Sequence, residues 1–385
     1  ENENQPSGTT GNEENENQTG GTTGGMTLAK GTEIRSPVLE SQFMYTGPSL
    51  NVANANDDDE TPNESTTALK TAAENFRNTA ENVTNYVIKI INKVKDSTLN
   101  VTLEDVNIKA NNDAALSVEG AGNTKITLSG SNTLTGGDGH AGLEHNEKSK
   151  DDNDDSVDTG KLTITSEKDS GILTATGGSG AAGIGSSNGK GTGTIEITGG
   201  NITANGGTVK AQGGGNGAGI GSGSMAAGNT NIIISGGTIE EAVGGSTGDG
   251  IGGGNSSRNI TVRIQGGTIK KAQGGNGGNG FAGHGIHSDS TLNISGGTIV
   301  NAQGGNGNYY GSDGIRSDST LNIFGQASIQ NAKGGEGRYG GGNGIYSKGD
   351  LSISQSAQIN NATGGESQST GGSGIYSVGE LTISG

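Results

Sequence analysis

The chain of 385 residues contains no cysteine and no tryptophan, and only 3 % of it is aromatic. Without cysteine it can form neither disulfides nor thiolate metal sites, and no redox compartment is indicated. Proline is nearly missing too. Pro6, Pro37, Pro48 and Pro62 are the only four, and all precede position 63. No apolar run approaches the ~18 residues of a membrane-spanning helix, so no membrane span is expected. Positive charge is scarce, with 23 Lys and Arg against 40 Asp and Glu, a net charge of -17. Residues 1 to 65 hold twelve acidic residues against Lys30 and Arg35 and so carry -10 of it. Nucleic acid is excluded as a partner, because phosphate binding needs clustered Lys and Arg; the charge permits calcium. The chain begins at Glu1 rather than Met, as expected of a processed or engineered start from which any signal peptide has gone.

Glycine is abundant, at 78 of 385 residues, while hydrophobic residues make up only 27 %. Such a composition can mean disorder, but these glycines are periodic and so belong to turns. Gly285-Ile286-His287-Ser288 recurs as Gly314-Ile315-Arg316-Ser317, Gly344-Ile345-Tyr346-Ser347 and Gly374-Ile375-Tyr376-Ser377, at intervals of 29, 30 and 30 residues. Each copy is followed by Leu-x-Ile; in the first three an Ile-x-x-Ala-x-Gly-Gly segment comes next. A fixed period of this length marks a solenoid, whose units bury their apolar faces only against their neighbours. Looser copies run back through Gly250-Ile251, Gly219-Ile220, Gly183-Ile184, Gly142-Leu143 and Ala115-Leu116. Their spacing varies from 27 to 41 residues, the longest including the acidic run Asp151 to Asp155, which should protrude as a loop.

Three regions are expected. Residues 1–64 form an acidic leader or linker, rich in Asn and Gly and holding every Pro, flexible when the chain is alone. Its short apolar pieces Ile34, Val38-Leu39 and Phe43-Met44-Tyr45 are suited to docking. Over residues 65–97, Leu69, Ala73, Phe76, Ala80, Val83, Val87, Ile90 and Val94 recur at spacings of four and three. That is one face of an amphipathic helix, expected to cap the first edge of the solenoid. From residue 98 to 385, short Leu-x-Ile and Ile-x-Ile segments predict strands, three to a turn. The fold class is therefore all-β, a single-stranded parallel β-helix, right-handed by the general preference of parallel crossovers. With turns ~4.8 Å apart, about nine of them make a rod roughly 45 Å long. Ile286, Ser288, Leu292, Ile294, Ile299 and Ala302 should point inward in one turn. Glu240-Glu241 aligns with Lys270-Lys271 one turn on, which sets opposite charges side by side.

Several of these segments resemble a known family, the secreted carbohydrate-binding β-helix proteins of clostridia and related bacteria, including polygalacturonate binders. The opening turns carry the likeness in Asn100-Val-Thr-Leu-Glu-Asp-Val-Asn-Ile108, Ala114-Ala-Leu-Ser-Val118, Thr124-Lys-Ile-Thr-Leu-Ser-Gly130 and Asn132-Thr-Leu134. The repeat carries it in Gly285-Ile-His-Ser-Asp289 with Leu292-Asn-Ile-Ser-Gly-Gly-Thr-Ile299, and in Asp313-Gly-Ile-Arg-Ser-Asp318 with Leu321-Asn-Ile323. The turns Gly183-Ile-Gly185 and Gly250-Ile-Gly-Gly253 are similar to Gly-rich repeats of Gram-positive surface proteins. The resemblance implies a secreted or cell-surface bacterial protein that binds polysaccharide, polygalacturonate being one candidate.

Function should lie in columns that face outward. The residue after Gly-Ile is Gly185, Gly221 and Gly252, and then His287, Arg316, Tyr346 and Tyr376. The loops just before these copies add Phe281, Tyr309, Tyr310 and Tyr339, so five of the seven tyrosines fall in the last 80 residues. Rings along a ridge can stack on sugars and Arg can pair with a uronate carboxylate; the plainer alternative is that strands and their loops simply favour aromatics. Asp249, Asp313, Asp289 and Asp318 lie at repeat turns and are the candidate calcium ligands, although calcium needs six to eight oxygens at one point. Asp289 and Asp318 occupy equivalent positions and should stand one turn apart.

Gly283-His284-Gly285 is similar to the Gly-His-Gly of polygalacturonases. The carboxylate pair that glycoside hydrolysis requires is missing beside it, and other turns place Asp249, Asp313, Asn343 or Ser373 where His284 stands. No enzymatic activity is expected. Asn301, Asn331 and Asn361 form a further column, expected to be a structural amide ladder. A rival to carbohydrate binding is a structural role, as an adhesin stalk or a self-assembling extracellular filament subunit. It draws on the uncapped segment Leu381 to Gly385, whose open edge suits end-to-end self-association.

Overall fold

The computed structural model describes the backbone of residues 25–28, 41–46 and 49–54, together with residues 87–147, 159–166, 171–205, 217–278 and 282–385. Thr98–Glu104 shows how the sequence makes its strands. Leu99, Val101 and Leu103 are buried while the residues between them face outward, the period of two that a half-buried strand requires. Ile260–Ile264, Leu292–Ile294 and Leu321–Ile323 repeat the alternation.

These strands stack into three long sheets, and the chain visits one after another. The first sheet runs from Gly25–Leu28 and Thr98–Glu104 to Leu351–Ser354 and Leu381–Ser384. The second ends in Ile286–Ser288, Ile315–Ser317, Ile345–Ser347 and Ile375–Ser377. The third begins at Asn107–Lys109 and in its last turns splits into pairs of short strands such as Thr298–Ile299 and Ala302–Gln303. From residue 87 on, every strand pairing among the described residues is parallel, and the register shifts only between Ile202 and Thr203, where Glu240 is passed over. Ile286 pairs with Ile315, Ile315 with Ile345, and Ile345 with Ile375. The chain is thus an all-β parallel solenoid, and no helix occurs among the described residues; none, accordingly, is long and apolar enough to cross a membrane.

The core is the column of inward side chains. Ile286, Ser288, Leu292, Ile294, Ile299 and Ala302 are all buried, as the repeat predicts. Ser288 is the one polar member; its hydroxyl donates to the carbonyl of Ile260 and accepts from the amide of Val262. The register prediction also holds: Lys270 pairs with Glu240 and Lys271 with Glu241.

The expected helix over 65–97 is corrected. Val87–Asn92 is a strand of the second sheet, with Ile88 paired to Leu116 and Ile90 to Val118. Four of its six residues are Val or Ile, which favour strands over helices. After the buried Val87, its buried positions 88, 90 and 92 follow a period of two. Residues 65–86 lie outside the described residues. The segment expected to be a leader also contributes strands. Ser41–Thr46 and Ser49–Asn54 form an antiparallel hairpin that pairs in parallel with Val87–Asn92, and Gly25–Leu28 pairs with Thr98–Glu104. Strands from residues 25–54 therefore cover the first edge of two of the three sheets, the role expected of the helix. The run Asp151 to Asp155, expected as a loop, lies outside the described residues.

Candidate functional site

The outward column after Gly-Ile changes character at His287 for a backbone reason. Gly185, Gly221 and Gly252 have φ of 144°, 137° and 151°, where L side chains are strained. A Cβ on Gly221 would lie 1.8 Å from the carbonyl oxygen of Gly252. From Ile286–Ser288 on, the same position belongs to a regular three-residue strand and can carry a side chain. His287, Arg316, Tyr346 and Tyr376 then sit in register on consecutive turns.

The predicted ridge residues divide into two groups. Tyr346 and Tyr376 stack with centroids 5.8 Å apart, and the Arg316 guanidinium lies 4.6 Å over the Tyr346 ring. Tyr309 and Tyr339 stack at 5.7 Å with nearly parallel rings, and Tyr310 tilts against Tyr339. Backbone bonds join these loops, the Tyr339 amide donating to the Tyr309 carbonyl. Tyr309, Tyr310, Tyr339 and Tyr376 are each 46 % exposed, enough for phenol edges and hydroxyls to meet a ligand. Phe281 lies outside the described residues.

Sequence reasoning missed Arg338, which is exposed and lies 5.4 Å over the Tyr339 ring. Among the described residues no carboxylate pairs with it. Its position next to Tyr339 in the same loop was the available clue.

His287 and Arg316 have a different setting. Arg316 donates to Asp313 at 3.0 Å and to Asp318 at 2.7 Å, so its charge is engaged within the protein. His287 Nδ1 lies 2.9 Å from Asp249 Oδ2, and its Nε2 faces Asp289 at 3.6 Å and Asp318 at 3.8 Å. Burial disfavours the imidazolium, but Asp249 and the other two carboxylates outweigh it and raise His287 to about 10. Burial likewise works against charge on Asp249, yet His287 holds that carboxyl below the usual range. The His287 ring and the Arg316 guanidinium hold the Asp318 carboxyl well below it.

Of the four proposed calcium ligands, Asp289 and Asp318 come together on the two sides of His287, as their equivalence predicts. Asp249 and Asp313 are buried and serve a different column. Asp249 accepts from the His284 amide at 2.8 Å, His284 Nδ1 from the Asp313 amide at 3.0 Å, and Asp313 from the Asn343 amide at 2.7 Å. Asn343 then accepts from the Ser373 amide at 2.9 Å. Each side chain caps the turn that follows it. His284 is one of these caps, and its Nδ1 must be unprotonated to accept; burial lowers its pKa to about 4.

No family model matches the chain, and neither curated proteins nor solved structures give a match to it.

Proposed function

We propose that this chain is a non-catalytic, secreted or cell-surface bacterial protein that binds an acidic polysaccharide along the ridge of its last turns. One observation supports this reading above the rest. Tyr309, Tyr310 and Tyr339 are half-exposed yet fixed by mutual packing, and they lie beside an Arg338 that pairs with no described carboxylate. Rigid aromatic side chains lose little entropy on binding, and a guanidinium matches a uronate carboxylate with two parallel bonds. The cation for an acidic sugar is then Arg338, because Arg316 and His287 are engaged by aspartates. In this reading the solenoid is right-handed with turns of about 30 residues, and its regular rise spaces the binding groups along an extended chain.

A structural role, as an adhesin stalk or filament subunit, is favoured by a different observation. The two faces of the Tyr346 ring are taken by Tyr376 and Arg316, so that part of the column acts as an internal ladder. A pull-down on immobilised polygalacturonate separates the readings. The polysaccharide reading expects Arg338→Ala, and Tyr309→Ala with Tyr339→Ala, each to weaken binding about tenfold or more, the loss of a hot-spot contact. Equal retention of all variants, or none of the wild type, would leave the structural role.

A further inference from the structure

The group around His287 is built in a way that neither the ridge nor the turn caps require. His287 Nδ1, Asp289 Oδ2 and Asp318 Oδ1 are each already committed. Nδ1 is held by Asp249 Oδ2 at 2.9 Å, Asp289 Oδ2 accepts from the Ile260 amide at 3.0 Å, and Asp318 Oδ1 accepts from Arg316 Nε at 2.7 Å. The remaining atoms, His287 Nε2, Asp289 Oδ1 and Asp318 Oδ2, converge within 4.8 Å of one another. Nε2 is sealed from solvent and has no hydrogen-bond partner, since both facing oxygens lie beyond hydrogen-bond reach. An orphaned buried nitrogen aimed between two carboxylate oxygens calls for an explanation.

We propose that His287 Nε2, Asp289 Oδ1 and Asp318 Oδ2 bind a divalent transition metal of the Zn2+ class, which clips two consecutive turns of the solenoid together. The spacing fits. Bonds of 2.0–2.2 Å in a tetrahedron place ligand atoms about 3.4 Å apart; Nε2 lies 3.6 and 3.8 Å from the two oxygens, and all three atoms lie within 4.8 Å of one another, so a modest side-chain adjustment closes the site. The chemistry fits as well. An imidazole nitrogen with two carboxylate oxygens suits zinc, whereas calcium collects six to eight oxygens and no nitrogen. The outer contacts fit too, because a metal-bound histidine usually gives its other ring N–H to a carboxylate, here Asp249. That carboxylate is itself fixed by the amides of Gly253 and His284.

The test is calorimetric titration of ZnCl2 into the full chain after chelator treatment, near neutral pH, with CaCl2 as the comparison. One zinc ion per chain is expected, bound more tightly than calcium. Asp289→Asn with Asp318→Asn, both partly exposed, should abolish that binding while circular dichroism stays unchanged. Asp249→Asn should weaken it about 10- to 100-fold, the usual effect of removing a histidine's outer partner. Co2+ in place of zinc should give the visible absorption of a four-coordinate site. Absence of zinc uptake by the wild-type chain, tighter binding of calcium, or zinc binding unchanged in the Asp289 and Asp318 variant would each overturn the proposal. None of these outcomes depends on polysaccharide binding.

Discussion

Lys271 Nζ lies 2.6 Å from Glu241 Oε1, thirty residues earlier and one turn away across a parallel strand pair. Lys270 and Glu240 repeat the contact at 2.7 Å. These pairs lie on the sheet exterior, more than a third exposed except at Glu240, so they specify register more than they stabilise it. Replacing Lys271 with Glu would set like charges opposite one another. We expect a loss of about 1 kcal/mol or less in urea unfolding, shrinking as salt is added. A loss of several kcal/mol, insensitive to salt, would mean that the pair does more than align two turns.

The glycine column gives a sharper contrast. Gly221→Ala must hold a side chain at φ 137° with its Cβ almost upon the Gly252 carbonyl. Strain and clash together should cost upwards of ~3 kcal/mol. Tyr376→Ala lies in the same column but on regular strand backbone and is half-exposed. It removes one stacking partner of Tyr346 and should cost only about 0.5–1.5 kcal/mol. Thermal or urea unfolding of the two variants side by side checks the difference. Equal losses would contradict the view that the backbone, rather than function, kept side chains out of the earlier turns.

The inward half of this fold was legible because stacking in register forces one residue type down each column. Ile286, Ile315 and Ile345 face the same neighbours, so periodicity alone located the core. The edge was misread because the positions Val87, Ile90 and Val94 satisfy helical spacing, and what decided against a helix was the density of β-branched residues and the partners Leu116 and Val118. The candidate site was only half legible. Exposed tyrosines and the equivalence of Asp289 and Asp318 follow from the repeat. The contacts that define the His287 cluster do not, because they join residues such as Asp249 and His287 that lie 38 positions apart and play different roles in their own turns. Arg338 does not stand out in the repeat because the equivalent positions of the neighbouring turns hold Asn308 and Gln368, so no column of charge marks it.

Two histidines in the early turns should give the stability an opposed dependence on pH. Burial lowers the pKa of His145 from 6.5, outweighing the bond that its Nδ1 donates to the Val118 carbonyl at 3.2 Å. The unfolded chain therefore takes up this proton first, and His145 makes the fold less stable as the pH falls below about 6.5. His140 behaves in the opposite sense. Its bond to Glu144 at 3.0 Å outweighs burial and raises its pKa, so its contribution is present at pH 6 and is lost as the pH rises through the raised value. Unfolding midpoints across pH 5 to 8 should fall more steeply on the acid side in His140→Gln and less steeply in His145→Gln. Parallel profiles for the two variants would contradict the assignment.

Asp249 is the buried acid on which two columns converge. It accepts from the amides of His284 and Gly253 and from His287 Nδ1, so it caps a turn and holds a histidine in one orientation. Asp249→Asn keeps the size but has one acceptor oxygen for three donors, and it places an NH2 group against N–H. It also leaves the buried imidazolium without its nearest counter-charge. Breaking such a pair from one side typically costs about 3–5 kcal/mol, and that loss is expected here in urea unfolding. Asp249→Asn combined with His287→Gln removes the orphaned charge along with its partner. The double variant should regain part of the stability, so that its loss is smaller than the sum of the single losses. Strict additivity would show that the carboxylate acts only as a turn cap and that its contact with His287 is incidental.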